Sequence, residues 1–249
     1  MLSRQPPSPA EAGADPETER LVAAAVRITR ALPAARPVLG VLRGFSRGDR
    51  DRARILRGRL AERGVHAADL SLVPDAGDRE PGRAAIARPL MDVLVYAGGP
   101  QPERAMKAAA LWRLPLLIER QDGWEGGELN SLGGHRRAVL GIHLPGGAFD
   151  VAAREAVIVS LQPQPGRVRL ILDNEKITAP GDQPLHVTLT DGGLLRVGGD
   201  AFGSRQVRRL RFERAWGAYR LDIDGTPARD VHAPLRIETL PGRLHLLHP

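Results

Sequence analysis

Cysteine is absent from this 249-residue chain, so it can build neither a disulfide framework nor a thiolate metal site. Lysine is nearly absent too. Lys107 and Lys176 are the only two, and arginine carries almost all of the formal net charge of +7. Aromatic residues make up 4%, too few for a platform that stacks unpaired bases. No apolar run approaches the roughly 20 residues needed to span a bilayer. The first fourteen residues are rich in Pro, Ala and Gly and lack the apolar core of a secretory signal, so a cytoplasmic location is expected. No Walker loop, Gly-x-Ser-x-Gly elbow or spaced Gly-x-Gly-x-x-Gly occurs. The histidines are scattered, and the closest pair, His245 and His248, stands three apart on a strand and so on opposite faces. No metal site is expected.

The chain is 42% hydrophobic and 26% charged, enough apolar material for one large domain or two small ones. A basic balance suits nucleic acid, an anionic membrane surface or phosphate ligands. The densest arginine runs, Arg43 to Arg63 and Arg205 to Arg214, interleave with Asp or Glu. That mixing argues against a contiguous basic face, and nucleic acid is not expected as a partner. Peripheral membrane contact stays open. Trp112, Trp124 and Trp216 could mark a ligand-touching or membrane-touching surface, or be partly buried core.

Residues 1–16 form an expected disordered tail, residues 17–134 an α/β unit and residues 135–249 a β-sandwich. Asp15-Pro16-Glu17 is a helix start, with a capping acid, proline at the first position and acid in the first turn. Leu21, Ala24, Ala25, Ile28 and Leu32 make one apolar stripe, and Pro33 ends the helix. Val38–Leu42 is a strand and Arg43–Gly48 a loop. Asp49 then caps a helix through Arg63, with Ile55, Leu56 and Leu60 inward and Gly64 closing it. A strand over Ala67–Val73, a loop over Pro74–Gly82 and a short helix near Ala84–Arg88 follow. Asp92–Ala97 is the clearest strand. Gly98-Gly99, a helix over Pro102–Trp112 and a strand over Leu114–Ile118 complete a repeated strand–loop–helix pattern, the mark of a doubly wound parallel sheet.

Gln121–Gly134 is a Gly-rich polar seam. Beyond it the hydrophobic period is two. Strands are expected over Ala138–His143, Ala156–Leu161, Val168–Leu172, His186–Leu189, Leu194–Val197, Val207–Glu213, Arg220–Ile223 and Leu235–Thr239. Turns separate them at Pro165-Gly166, Asp173-Asn174, Asp191-Gly192-Gly193, Asp224-Gly225 and Pro241-Gly242. The expected architecture is a parallel α/β domain followed by an antiparallel β-sandwich. Edge strands of such a sandwich offer a surface for a homodimer.

The closing stretch Tyr219-Arg-Leu-Asp-Ile-Asp-Gly-Thr-Pro227, followed by Pro234-Leu-Arg-Ile-Glu-Thr-Leu-Pro-Gly242, resembles the C-terminal end of the diacylglycerol/sphingosine lipid-kinase family, within the NAD-kinase/diacylglycerol-kinase superfamily. The order of elements resembles that family from about Arg36 onward. The resemblance implies an ATP- and Mg2+-dependent phosphotransferase acting on a lipid hydroxyl, and it also shows where this chain departs. Where the family carries Asn-Pro-x-(Ser/Gly)-Gly, this chain has Arg43-Gly-Phe-Ser-Arg-Gly48, leaving Ser46 and Gly48. Where the family has Gly-Gly-Asp-Gly-Thr, it has Gly98-Gly99-Pro100-Gln101-Pro102. Two prolines remove two backbone donors from the phosphate cradle. A Gly-Thr-Gly-Asn-Asp-like stretch has only Pro145–Ala153 as its nearest wording. The family's Asp-Gly-Glu is Asp224-Gly225-Thr226, and threonine cannot serve as the general base.

Each candidate residue has a chemical and a plain structural reading. Ser46, Gly48, Gly98 and Gly99 could cradle a nucleotide phosphate, or serve a helix cap and a tight strand–helix turn. Asp222 and Asp224, two apart on one strand face, could act as base or metal ligand, or be a solvent-facing acid and a hairpin turn. The expected function is a degenerate, non-catalytic member of this fold that binds a nucleotide, a lipid or a partner. An active lipid kinase with atypical motifs is the first alternative. An arginine-driven nucleic-acid or anionic-membrane binder is the second.

Overall fold

The computed structural model describes residues 15–34, 36–72, 91–100, 102–119, 128–129, 134–162, 166–199, 203–213, 218–225 and 229–249. Helix α1 (Pro16–Ala31) starts where the sequence places it, with Oδ1 of Asp15 accepting from the Glu17 N–H at 3.2 Å. Its Leu21, Ala24, Ala25 and Ile28 stripe is buried. Strand β1 (Leu39–Arg43) lies between β2 (Ala67–Ser71) and β3 (Val93–Tyr96), all parallel, and β4 (Leu116–Leu117) joins beside β3. Strand alternation feeds both faces. Leu39, Val41, Val93 and Val95 meet α1 and helix α2 (Arg47–Glu62), whereas Leu42, Leu94 and Tyr96 meet helix α3 (Pro102–Trp112). This is the doubly wound sheet that the sequence predicts.

Two local details differ. Helix α2 begins at Arg47, ahead of Asp49, because Ser46 is its cap. Ile55 is 52% exposed. The helix packs along Ala53, Leu56 and Leu60, and a step of about 100° per residue turns position 55 off that line. The expected helix near Ala84–Arg88 lies outside the described residues, as do residues 1–14 of the expected tail, Trp124 and Trp216, whereas Asp15 and Pro16, counted in that tail, cap and open α1. Within the expected polar seam, β5 (Glu128–Leu129) pairs antiparallel with β6 (His135–His143).

The second half is two facing sheets. One contains β7 (Phe149–Ala152), β9 (Arg167–Leu172), β10 (Glu175–Pro180), β14 (Arg209–Glu213) and β17 (Leu235–Leu247) together with β6. The other runs β13-β12-β11-β8-β15-β16, from β8 (Glu155–Ser160), β11 (Leu185–Leu189), β12 (Leu195–Gly199), β13 (Gly203–Val207), β15 (Ala218–Ile223) and β16 (Arg229–His232). Leu140, Ile142, Leu170, Leu210 and Ile237 from the first sheet pack against Val187, Val197, Tyr219 and Leu221 from the second.

Strands β5, β7, β10 and β16 were not expected from the sequence, and of β13 only Val207 was. The stretch Val207–Glu213, expected as one strand, is the last residue of β13 followed by β14. It crosses at Arg208 from one sheet to the other, because the backbone N–H groups of Arg208 and Arg209 both bond to Oδ1 of Asp173, at 3.0 and 2.9 Å. Pro241-Gly242 is not a turn between strands. It is an irregularity inside β17, where the register with β6 shifts between Leu240 and Leu244 and Gly242 adopts φ 63°.

Strand β17 therefore does two jobs. Its first part pairs with β14 inside the sandwich, and Leu246–Leu247 pair in parallel with β4 of the α/β half. Among the described residues, one sheet of 11 strands runs through both halves. Among the described residues no helix is long and apolar enough to cross a membrane.

Leu246 is fully buried in this join. Leu246→Ala is expected to lower unfolding stability by about 2–5 kcal/mol. Urea denaturation followed by circular dichroism checks this, and a change under 1 kcal/mol would mean that the C-terminal strand does not hold the halves together.

Candidate functional site

Two clusters gather at the loop ends of these elements. The first lies where β1 leads into α2. Ser46 caps α2, its Oγ accepting from the Asp49 N–H at 3.0 Å, while Oδ2 of Asp49 accepts from the Ser46 N–H at 3.1 Å. This reciprocal capping box makes Asp49 the third helical residue rather than the cap expected from the sequence. Asp49 is 5% exposed, and its Oδ1 also bonds to Nη2 of Arg52. A Cβ on Gly44 would collide with Oδ2 of Asp49, so the loop closes over this carboxylate.

The β3–α3 turn reaches the same place. Gly98 and Gly99 have φ of 84° and 131°, a region that L side chains rarely adopt. A Cβ on Gly99 would stand 3.1 Å from both Oδ1 of Asp49 and Oη of Tyr96. Arg52 borders Gly98, Gly99 and Gly48. The structure thus collects all four sequence-selected loop residues, Ser46, Gly48, Gly98 and Gly99, around an Asp49–Arg52 pair that the sequence reading did not single out. A helix N-terminus favours an anion, and here the anion is the protein's own carboxylate. Gln101 lies outside the described residues.

The second cluster lies at the crossing from β7 to β8. Nζ of Lys107, on α3, is 3.1 Å from Oδ1 of Asp150 on β7. Both side chains are nearly fully buried, and Oδ1 of Asp150 also accepts from the Val151 N–H at 2.8 Å. Asp224, at the turn after β15, reaches back to the crossing. Its Oδ2 accepts from the Ala153 N–H at 2.5 Å, and its Oδ1 from those of Arg154 and Glu155 at 2.8 and 2.9 Å. Burial raises the Asp224 pKa above the ordinary aspartate value. The three N–H bonds and the Lys107 charge oppose that shift without cancelling it.

Asp222 stays on β15 and pairs with Arg220, Nε to Oδ2 at 3.5 Å. The two acids engage different partners because Asp224, at φ 47°, has already left the strand. Asp224 with Gly225 at φ 67° is the left-handed pair that the Asp-Gly turn predicts. Thr226 lies outside the described residues.

Lys107 is the member that sequence reasoning missed. A signal was present: it is one of only two lysines in an arginine-dominated chain, and it sits on the inward stripe of the Pro102–Trp112 helix.

A third feature is a small space of about 20 Å3 between the two sandwich sheets, open to solvent at its mouth. Ile158, Val168, Leu170, Phe212, Tyr219 and Gln183 are among its lining residues. Oε1 of Gln183 is buried there and accepts no hydrogen bond. Tyr219 and Asp224 stand at opposite ends of β15, five residues apart, or roughly 16 Å at strand rise.

No family model and no curated protein matches this chain. Solved structures do. A diacylglycerol kinase from Bacillus anthracis str. Sterne superposes with a TM-score of 0.55 at 12% identity, over 86% of this chain and 97% of that one. Two further structures assigned to the same kinase class in that strain give TM-scores of 0.53 and 0.55 at 11% and 10% identity, with the same coverage. The chain has the two-part fold of the diacylglycerol kinases. At this identity the likeness is one of fold.

Removing one partner of the buried Lys107–Asp150 pair leaves the other charge buried. Asp150→Leu alone is expected to lower stability by roughly 3–5 kcal/mol, and Lys107→Met/Asp150→Leu to recover much of that. Chemical denaturation of the two variants checks this, and additive losses would contradict the pairing. The raised pKa of Asp224 also gives stability a slope. Its contribution is fully present below pH 3.8 and is lost as pH rises through the higher native value. Asp224→Asn should flatten that fall in a series of unfolding midpoints against pH.

Proposed function

We propose that this chain uses the diacylglycerol-kinase fold as a non-catalytic binding module and does not transfer phosphate. The observation that carries this reading is that the carboxylates and cations at the two loop clusters already bond within the chain. A general base needs a lone pair directed at the substrate hydroxyl. Asp224 directs its oxygens at three backbone amides, and the family's base position is Thr226. A nucleotide phosphate at the α2 N-terminus would meet the Asp49 carboxylate, and Pro100 and Pro102 withhold backbone donors from the glycine turn.

Magnesium with ATP fits these residues poorly. Among the described residues no group of three or more His, Asp or Glu is placed to hold a metal ion. Asp49 and Asp224 spend both oxygens on internal bonds.

The space within the sandwich supports an apolar ligand instead. As it stands it holds about 20 Å3, room for about one water, so an occupant would enter by parting the two sheets, and its apolar walls with one buried acceptor suit a chain bearing a hydroxyl or amide donor at Gln183. It lies at the far end of β15 from Asp224, so an occupant would be held away from the position where the kinases' base would act.

Two titrations test the reading. Millimolar ATP with magnesium should leave the melting temperature unchanged, whereas a bound ligand at a hundred times its Kd adds about 2.7 kcal/mol. Saturable stabilisation by ATP and magnesium would overturn the proposal and favour the alternative of an active lipid kinase with atypical motifs. A fluorescent long-chain alcohol should bind, and Gln183→Leu should weaken it about tenfold through the lost hydrogen bond. Equal binding by the variant would remove the cleft from the account.

A further inference from the structure

The inward positions of the sandwich strands form the core, and the outward positions of one sheet are mostly arginine. β9 turns Val168, Leu170 and Leu172 inward and Arg167 and Arg169 outward. β14 turns Leu210 and Phe212 inward and Arg209 and Arg211 outward. β17 places Arg236 outward between buried Leu235 and Ile237, and β10 adds Lys176.

The strand registers line these positions up. Lys176 stands opposite Ile171, Ile171 opposite Arg211, Arg211 opposite Arg236, and Arg236 opposite His143. The row crosses five adjacent strands, about 19 Å at the usual strand spacing. The run Arg205 to Arg214, which supplies Arg209 and Arg211, contains Glu213, and such mixing argued against a basic face. Period-two alternation and strand register sort the charges, so a contiguous basic face exists.

Six full positive charges occupy this face with two carboxylates, Glu213 and Glu238. Glu213 lies 2.8 Å from Arg211 and 3.8 Å from Arg169. Glu238 lies 3.2 Å from Arg236 and 2.8 Å from His143. The acids sit low, with side chains 23% and 24% exposed, while Arg169, Arg211 and Arg236 rise above them at 63%, 56% and 44%. The carboxylates orient the guanidinium groups and do not cancel the field of the face.

We propose that this outer sheet face docks the protein on an anionic lipid bilayer, its six cations meeting headgroup phosphates and carboxylates. The inference goes beyond the reading of the sandwich cleft and does not depend on it. Charge complementarity carries it: the face is broad, belongs to an open sheet and carries a net excess of cations. An acidic protein partner would call for an apolar anchor at the centre of its interface, and Ile171 is the only apolar side chain in the middle of the row. Single-stranded nucleic acid would call for stacking rings between the cations. The rings on this row, His143 and the Phe149 packed edge-on against it, lie together at one end, and none stands between the cations of β9, β10, β14 and the first part of β17.

Co-sedimentation of the full chain with phosphatidylserine/phosphatidylcholine vesicles tests this, with pure phosphatidylcholine vesicles as reference. Binding should require the anionic lipid and weaken as salt rises. Each basic side chain near such a surface contributes about a fivefold factor, so Arg169→Gln/Arg211→Gln/Arg236→Gln should lower the partition coefficient by about two orders of magnitude. The equal charge change Arg47→Gln/Arg50→Gln/Arg54→Gln, at exposed positions of α2, should leave binding within a few-fold of the parent. Unfolding midpoints confirm that both variants are folded. Equal binding to both vesicle types overturns the proposal, as does an equal loss in the two variants. Tighter retention on random-sequence duplex DNA, lost in the same sheet variant, would make the face a nucleic-acid surface and would also overturn it.

Discussion

At two of the places where the chain leaves one sandwich sheet for the other, after β7 and after β13, an aspartate carboxylate grips the backbone N–H groups of the crossing. A crossing strands its amides between two hydrogen-bonding ladders, and buried amides without partners are strongly disfavoured. Asp224 takes three of them at the β7–β8 crossing. Asp173 takes two at the β13–β14 crossing. Both residues sit in turns with left-handed φ, 47° and 52°, which swings the side chain back across the sheet gap.

That constraint also bears on function. The turn that resembles the kinases' base-carrying motif is here a structural clamp, and the loop that resembles their phosphate cradle is closed by the Asp49 capping box. Burial raises the pKa of Asp224 against the opposing pull of three backbone donors and the Lys107 charge, so the clamp works in spite of desolvation. The hydrophobic contacts that hold the sandwich lie between its two sheets and involve neither loop cluster, so the fold does not by itself fix the chemistry.

The α/β half was largely legible in the sequence. Asp15-Pro16, the Val38–Leu42 and Asp92–Ala97 runs and the Pro102–Trp112 stripe each carry a local signal, and each forms the expected element. The sandwich was read less well, for a physical reason. β10 and β16 are edge strands with few apolar residues, so period-two alternation barely marks them. The break at Arg208 leaves no turn residue behind, because its cause, Asp173, lies 35 positions away. In the site, the glycines and Ser46 were legible from their loop positions. Arg52, Lys107 and Asp150 were not, since their roles depend on which elements the fold brings together. The acids that seemed to dilute the basic runs were likewise misjudged from sequence, because strand register decides which charges share a face.

The central claim of the proposed function is that, among the described residues, the acids of the two loop clusters are engaged within the chain and do not serve phosphoryl transfer. The most direct measurement is transfer of labelled γ-phosphate from ATP with magnesium to a mixed diacylglycerol and sphingoid lipid substrate by the full-length protein, beside an Asp224→Asn control. The account predicts no labelled lipid above the no-protein background. Labelled lipid produced by the wild-type chain and abolished in Asp224→Asn would contradict it.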